Sequence, residues 1–374
     1  MKKKIGYWCY AVFFYLFRLC PVKKNKVFCV MTHDGSPGSS VGVVVTALKK
    51  QSQDYQFVYM RKEDREGAKK NPLHSFFSFF LIKPYHMATA SYIMLDNIFL
   101  PMAYLRFSKK VKVIQLWHGT GTIKKFGQDV NEGELKKLEY QANQKITHLI
   151  VNSQYTKEQY AKAFGVEKDK IYVWGLPRTD ALFSDTIQAD KEKEYYKAYP
   201  HLKGKRFVLY APTFRDQEVA APKMKLDLSY LQKQMDSDIV FLIKLHPFVA
   251  ARFNMEESNQ FVNVSSFTDI NTLLLVSDIL ITDYSSIIFE YCVLLRPMVF
   301  FAYDLEEFSE SGRGFYEDYI SYVPGPVVQN TEELVEVLKE NNFSLERVKV
   351  FKKQSFAYLD GKSTERLIKG IFEA

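Results

Sequence analysis

Two histidines in this sequence stand where an α/β protein places its chemistry. His118 follows the largely apolar stretch 111–116 and lies beside glycines, and His246 follows the similar stretch 239–245. Each stretch predicts a buried strand, so each histidine is expected at the carboxyl end of a strand. Open α/β sheets bind ligands at that end. A structural histidine that bonds a loop carbonyl is the alternative for His118.

A serine-rich turn offers a phosphate site. Asp-Tyr-Ser-Ser at residues 283–286 lies between the predicted strand 278–281 and a predicted helix that runs to Leu295. Ser and Asp favour helix N-caps, and a helix N-terminus attracts phosphate through its free N–H groups and its dipole. We therefore expect a nucleotide diphosphate to bind at this turn. A capped helix without a ligand is the alternative.

Arg178 is a second candidate for contact with phosphate. It follows the predicted strand 170–174 and a Gly-Leu-Pro turn. Its guanidinium group is planar and permanently charged, which suits phosphate oxygens. A salt bridge with Asp180 is the alternative.

The elements that position these residues alternate between strand and helix. The length of 374 residues, 47% hydrophobic and 25% charged, predicts a folded protein of two domains or one large one. Alternation of strands and helices favours parallel sheets. We predict an α/β fold of two Rossmann-like domains facing across a cleft, glycosyltransferase-B-like, at residues 23–185 and 186–374, with a charged linker at 181–203. The predicted strands are 27–31, 57–60, 92–95, 111–116, 145–151, 170–174, 206–210, 239–245, 261–264, 278–281 and 298–301.

Residues 1–22 predict a helix at a membrane interface. Their aromatic, apolar stretch is flanked by lysines at 2–4, 23, 24 and 26, is interrupted by Arg18 and has no small-residue cleavage site. The stretch is too short to span a bilayer comfortably. An anchor on an anionic membrane surface is expected, and a helix packed on its own domain is the alternative. The Phe-rich residues 73–90 predict a second membrane contact or a helix buried between domains.

The net charge and the cysteines indicate which partners and metal sites to expect. The net charge of +8 would suit an anionic membrane or nucleic acid. The cysteines show no metal-ligand spacing, so we expect reduced thiols and no metal site. They are Cys9, Cys20, Cys29 and Cys292.

Six motifs, in order, resemble the CDP-glycerol glycerophosphotransferases of teichoic acid synthesis, the TagB/TagF family. The resemblance runs from about residue 25 onward, and the sequence after Thr120 is closer to the short primase-like members TagB, TarB and TarF than to the Trp-His-Gly-Thr-Pro of polymerase members. The motifs are Trp-His-Gly-Thr-Gly at 117–121, Gly-Leu-Pro-Arg-Thr-Asp at 175–180, Tyr-Ala-Pro-Thr-Phe-Arg at 210–215, Lys-Leu-His-Pro at 244–247, Thr-Asp-Tyr-Ser-Ser at 282–286 and Arg-Gly-Phe-Tyr at 313–316.

The resemblance implies transfer of glycerol phosphate from CDP-glycerol to a hydroxyl of an undecaprenyl-diphosphate-linked saccharide, with release of CMP. It also implies a peripheral protein on the cytoplasmic side of the cell membrane, without metal, cofactor or nucleic acid. His118 is then the general base, and His246 is a second catalytic residue that contacts the diphosphate. The expected substrate-binding residues are Gly119, Thr120, Arg178, Pro212, Thr213, Arg215, Ser285, Ser286 and Glu290.

Within that set, Pro212 and Thr213 are expected to line the cytidine or ribose pocket, and Glu290 to hold hydroxyls of the ribose or the glycerol. Two other functions stay open. One is a transferase that uses CDP-ribitol or serves capsule synthesis, because the motifs address only the shared CDP-phosphate part of the donor. The other is a non-catalytic module that binds membrane or nucleic acid, against which two histidines at strand ends argue.

Overall fold

The computed structural model describes residues 2–62, 64, 72–213, 215, 222–253, 255, 258–311 and 313–373. Its strands are β1 Lys23–Met31, β2 Gln56–Arg61, β3 Ala90–Leu95, β4 Lys112–Gln115, β5 His148–Val151, β6 Ile171–Val173, β7 Arg206–Tyr210, β8 Ile239–Ile243, β9 Phe261–Asn263, β10 Ile279–Thr282, β11 Met298–Phe301 and β12 Val327–Val328. Strands β1 to β11 overlap the predicted positions, whereas β12 was not predicted.

Helices connect the strands, and a π-helix at Ser78–Ile82 joins two of them. The α-helices are α1 Lys2–Phe17, α2 Ser40–Gln51, α3 Pro72–Phe77, α4 Lys83–Ala88, α5 Gly133–Asn143, α6 Gln154–Phe164, α7 Asp185–Ala198, α8 Leu228–Gln234, α9 Pro247–Ala250, α10 Ile270–Val276, α11 Ile287–Tyr291, α12 Leu305–Ser311, α13 Tyr319–Tyr322, α14 Thr331–Glu340, α15 Glu346–Ser355 and α16 Ser363–Ile371.

The chain divides into two compact units, each with its own parallel sheet. Unit 1 comprises residues 1–120, 126–180 and 356–374, and unit 2 comprises residues 121–125 and 181–355. Among the described residues, each sheet has six strands, in the order β2-β1-β3-β4-β5-β6 in unit 1 and β12-β11-β10-β7-β8-β9 in unit 2. The predicted α/β fold class is confirmed.

Both faces of each sheet are buried, as crossover helices require of parallel sheets. In β1, Phe28 and Val30 pack into one core cluster, while Val27 and Cys29 pack into another on the opposite face. Neighbouring residues of a strand point to opposite faces, so nearly every position of β1 must be apolar. This explains why the strands appear in the sequence as continuous apolar runs.

Residues 356–374 return to unit 1, although the sequence assigned them to the second domain. Leu367, Ile368 and Ile371 of α16 are buried in the unit 1 core. The close approach depends on Gly175, whose φ is +84° and where a Cβ would lie 2.3 Å from Ser363 Oγ. The apolar face of α16 therefore packs on a sheet whose strands lie much earlier in the chain.

The charged segment 181–203 is mostly helical and belongs to unit 2. Ser184 caps α7 by accepting a hydrogen bond from the Ile187 N–H. Tyr195 is fully buried against Phe207 of β7. Tyr195 is the single buried residue of α7 and is surrounded in sequence by charged residues, so the sequence shows no apolar stripe. For this reason the segment was predicted to be a linker.

The amino-terminal helix packs on unit 1 and also leaves an apolar face exposed. Tyr10, Ala11 and Phe14 are buried in a unit 1 core cluster, whereas Trp8 is 62% and Leu16 56% exposed. The packing alternative is therefore right for one face of α1. No helix in the described part of the chain is long and apolar enough to cross a membrane.

One prediction about the surroundings of α1 is wrong. Lys26, predicted to flank the membrane helix, is only 2% exposed, and its Nζ donates to Thr89 Oγ1 at 2.6 Å. Burial, together with Lys23, lowers the pKa of Lys26 to about 8. In the Phe-rich segment, Phe76 and Phe77 are about half exposed.

Candidate active site

The carboxyl edge of the unit 1 sheet gathers the polar residues that follow β1, β3 and β4. The chain runs from β1 to β2 on one side and later to β3 on the other side, so the β1–β3 boundary is the topological switch point of this sheet. Ligands bind at such points in open α/β sheets. His33 follows β1, Asp96 follows β3, and His118 follows β4.

The His118 ring is held by a hydrogen bond to main chain. Its Nδ1 lies 3.1 Å from the carbonyl oxygen of Asp96. A carbonyl can only accept, so we assign the proton to Nδ1, which leaves Nε2 as the atom able to take a proton. Burial lowers the pKa of His118 to about 3, and His33 and Arg178 act in the same direction. The ring is thus a neutral imidazole at physiological pH, as a general base must be.

His33 is a member of this site that the sequence did not predict. Its ring stacks on that of His118, with centroids 3.7 Å apart and planes inclined by 17°. Burial also lowers the pKa of His33. The Thr-His-Asp-Gly sequence at residues 32–35 directly after a predicted strand was the available indication, but which strand ends are adjacent depends on strand order.

The turn that carries His118 has an unusual backbone. Trp117 has a φ of +49°, a left-handed conformation that costs a non-glycine residue of the order of 1–3 kcal/mol and is concentrated at functional sites. The carbonyl of Gly119 accepts from Tyr160 Oη at 3.0 Å, and that of Thr120 accepts from Asn152 Nδ2 at 3.1 Å. The carbonyls of both predicted substrate-binding residues hold the loop.

Arg178 and Asp180 do not form the salt bridge offered as an alternative. Arg178 Nη1 donates to the His118 carbonyl at 2.9 Å. Asp180 instead accepts from the backbone N–H groups of Ser363 and Thr364 at 2.9 and 2.8 Å, at the start of α16. Arg178 therefore supports the loop that carries His118, and its contact with phosphate stays a prediction.

The switch point of the unit 2 sheet lies between β7 and β10, and it joins two predicted motifs. The Thr213 N–H, after β7, donates to Asp283 Oδ1, after β10, at 2.8 Å. Ser285 Oγ accepts weakly from the Ile287 N–H at 3.3 Å, and Ser286 makes no capping hydrogen bond through its side chain. The helix that follows, α11, has five residues. The strand–turn–helix arrangement is as predicted, and its phosphate remains a prediction.

Arg215 lies within a buried cluster of charges in unit 2. Its Nε and Nη2 donate to Asp304 at 2.7 and 2.8 Å, and its Nη1 lies 3.0 Å from Asp283 Oδ2. The guanidinium also lies against the rings of Tyr284 and Tyr303. These contacts connect the loops after β7, β10 and β11. Stabilising these loops is therefore an alternative to the predicted substrate-binding role of Arg215.

An open pocket lies at the carboxyl ends of β7 and β8 in unit 2. Pro212, Thr213 and His246 are in its wall, together with Lys223 and Lys225. The Thr213 hydroxyl is buried without a hydrogen-bond partner among the described residues. The two lysines were not predicted, because the sequence does not show that residues 222–225 lie beside this strand edge.

Glu290 and Lys244 of unit 2 have structural surroundings. Glu290 is 4% exposed on α11. Lys244 of the Lys-Leu-His-Pro motif donates to the carbonyls of Ser265 and Phe267 at 2.9 and 2.6 Å, which fixes the loop after β9. In the residues that the structure describes, no group of three or more His, Cys, Asp and Glu side chains is arranged to hold a metal ion.

Two parallel α/β units with polar strand ends define the glycosyltransferase-B-like class. The chain belongs to the CDP-Glycerol:Poly(glycerophosphate) glycerophosphotransferase family, whose family model matches residues 12–373. The family resemblance is thereby confirmed, and membership does not favour a non-catalytic binding module.

The relatives are enzymes of teichoic acid synthesis. The teichoic acid poly(ribitol-phosphate) polymerase of Bacillus spizizenii is 34% identical over 365 residues, which cover 95% of this chain and 57% of the polymerase. The teichoic acid ribitol-phosphate primase of the same organism is 32% identical over 362 residues, covering 93% of this chain and 91% of the primase. The chain thus spans less than three fifths of that polymerase and most of the primase.

A solved structure has the same fold. The wall teichoic acid polymerase TagF, as a variant soaked with CDPG, matches 97% of this chain and 93% of the TagF chain with a TM-score of 0.80 and 25% sequence identity.

Proposed function

We propose that the protein transfers glycerol phosphate from CDP-glycerol to a hydroxyl of an undecaprenyl-diphosphate-linked saccharide in teichoic acid synthesis and releases CMP. The observation that carries the proposal is the unit 2 pocket at the strand ends, which offers a cytidine diphosphate an imidazole from His246, two lysines and the Thr213 hydroxyl, which no described residue bonds. Family membership supplies the reaction class, and TagF soaked with CDPG supports the donor.

The chemistry follows from the assigned tautomer of His118. Its Nε2 takes the proton of the acceptor hydroxyl, whose oxygen attacks the phosphorus that carries glycerol. The bond from that phosphorus to the oxygen shared with CMP breaks, and CMP leaves with the electron pair. Lys223 and Lys225 offset negative charge on the diphosphate, as cationic groups do in phosphoryl transfer, and the His246 imidazole contacts the same group.

The test is product mass from purified protein with a synthetic lipid-linked disaccharide. CDP-glycerol is expected to add one or more glycerol phosphate masses, with one CMP released per unit. CDP-ribitol, supplied separately, tests the second candidate donor, which the ribitol-phosphate relatives support. Absence of CMP release with both donors would overturn the proposed reaction, and ribitol phosphate alone in the product would transfer the proposal to that donor.

We also propose that the exposed face of α1 holds the protein at the cytoplasmic surface of the membrane, as a lipid-linked acceptor requires. Trp8 and Leu16 project from the face opposite the buried Tyr10, and the exposed Lys23 and Lys24 follow shortly after the helix. Apolar side chains enter the headgroup region of a bilayer, while lysines attract anionic lipids.

Point variants test this better than deletion, because deleting residues 1–22 would also remove the buried Tyr10 and Phe14. Replacing Trp8 and Leu16 together by Gln is expected to reduce sedimentation with anionic vesicles at least tenfold, since each buried apolar side chain is worth about 1.5–3 kcal/mol. Ile320→Gln, at an apolar residue of unit 2 that is 57% exposed, is the matched control. Unchanged sedimentation of the double variant would exclude α1 as the contact.

A further inference from the structure

The His118 ring is packed between two other aromatic rings, those of His33 and Trp117. The His33 and His118 rings come from loops after different strands, β1 and β4, yet lie nearly parallel at 3.7 Å. The Trp117 ring lies 4.0 Å from that of His118. Packing on this scale leaves the His118 ring little freedom to rotate about its side-chain bonds.

Asp96 connects both histidines through different atoms. Its carboxylate accepts from the backbone N–H groups of Thr32 and His33 at 3.0 Å each and of Asp34 at 2.9 Å. Its main-chain carbonyl accepts from His118 Nδ1 at 3.1 Å. One residue therefore fixes the loop that carries His33 and the tautomer of His118.

The rest of the His33 loop is also pinned. Asp34 Oδ1 accepts from the Ser36 N–H at 2.9 Å. At Gly42 of α2, a Cβ would lie 2.4 Å from the Ser36 carbonyl oxygen, so glycine lets the loop pack directly on the helix. The position of His33 is consequently set by its loop, before any ligand arrives.

We infer that His33 and Asp96 are positioning residues for His118, which hold its ring in the orientation and the neutral form that a base for the acceptor hydroxyl requires. The inference rests on the proposed function and deepens it. His33 covers a face of the imidazole and excludes water from it, while the Asp96 carbonyl holds the proton of the neutral ring on Nδ1, so that the lone pair lies on Nε2.

Most of the groups around the two histidines disfavour a proton on them. His118 faces His33, the Asp96 carbonyl and Arg178, and all but the carbonyl disfavour a proton on it. His33 faces Asp34, which favours its charged form, and Arg178 and Lys62, which disfavour it. A base works only above its pKa, so the lowered pKa of His118 places the acidic limb of the rate profile at low pH. Loss of His33 exposes His118 to water and must move that limb to higher pH.

The test compares His33→Ala, His33→Phe and Asp96→Asn over a range of pH. His33→Ala is expected to lower kcat, by up to about 100-fold if the base is misplaced by roughly 1 Å, to leave KM for the donor unchanged and to shift the acidic limb upward. His33→Phe retains the stacked ring and should retain most of kcat. Asp96→Asn brings an amide into a ring of N–H donors, and should resemble His33→Ala.

His148→Phe is the matched control. His148 also stacks on an aromatic ring, that of Tyr172 at 4.9 Å and 19°, and burial also lowers its pKa, to about 4. It begins β5, at the opposite edge of the same sheet. The control should leave kcat and the acidic limb as they are.

A titration by NMR of ¹³C-labelled histidine gives a readout that does not depend on turnover. The His118 resonance, assigned by its loss in His118→Asn, is expected to titrate at higher pH in His33→Ala than in the wild type. If the wild type has no transferase activity but this shift occurs, the proposed reaction fails while the coupling of the two rings holds. If His33→Ala leaves both the resonance and the acidic limb unmoved, the inference is wrong.

Discussion

Replacing Arg215 by Met tests whether this residue holds the fold of unit 2 or contacts the donor. The guanidinium is surrounded by Asp283 and Asp304, whose side chains are 2% and 13% exposed. Its Nη1 also donates to the Thr213 carbonyl at 2.6 Å. Because the guanidinium is enclosed by two carboxylates and a main-chain carbonyl of the protein itself, a structural role is expected.

The magnitude follows from burial of the two carboxylates. Removing one partner from a buried ion pair costs about 3–5 kcal/mol, because the opposite charge is left without compensation. Here the loss of Arg215 would leave two carboxylates facing each other, so the upper part of that range applies. For a unit of this size each kcal/mol lowers Tm by about 2–4 °C, so a cost of about 4–5 kcal/mol gives a decrease of roughly 8–20 °C.

Thermal denaturation of Arg215→Met beside Arg206→Met measures the effect. Arg206 is less buried and donates to Asn341 at 2.7 Å, so its loss should change stability by about 0–1 kcal/mol. Adding Asp304→Asn to Arg215→Met should recover part of the loss, since it removes one of the repelling charges. A variant with a wild-type Tm and a weakened affinity for CDP-glycerol would refute the structural reasoning and support the role predicted from sequence.

Three further predictions concern the base, its pH dependence and metal. His118→Ala should lower turnover by about 10²–10⁴-fold, as loss of a general base does, with donor affinity by calorimetry little changed; near-normal turnover would remove the assignment. Burial keeps His118 neutral down to about pH 3 in the folded protein, whereas the unfolded chain takes the proton near pH 6.5. The wild type should therefore lose about 2 kcal/mol more than His118→Asn between pH 7 and pH 5 in urea denaturation, and equal losses would contradict the burial of a neutral ring. Activity should persist in EDTA, and loss reversed by a divalent ion would show that a metal takes part.

Most strands, and the polar residues that follow them, were predictable because a parallel sheet that is buried on both faces produces a strong local sequence pattern. Continuous apolar runs end in polar clusters, as at His118 and Asp283, and each cluster then lies at the carboxyl edge of a sheet. Helix α7 was missed since its one buried residue, Tyr195, leaves no periodic apolar stripe.

The contacts among residues at the carboxyl edge of the sheet could not be predicted, because they depend on which strands are neighbours. His33 and His118 are far apart in sequence and meet only through the β1-β3-β4 order of the sheet. The same is true of Asp180, which was paired with Arg178 by proximity in sequence but caps α16 in the structure. The local sequence predicts the secondary structure around a residue, whereas the order of the strands determines which residues it contacts.

The return of α16 to unit 1 has a consequence for synthesis on the ribosome. About 190 residues separate the end of β6 at Val173 from the start of α16 at Ser363. At roughly 5–20 residues per second, the ribosome needs about 10–40 s to make them, and unit 2 emerges within that interval. Unit 1, whose strands are translated first, is therefore completed last, and the apolar side chains that α16 covers stay exposed to chaperones and proteases until then.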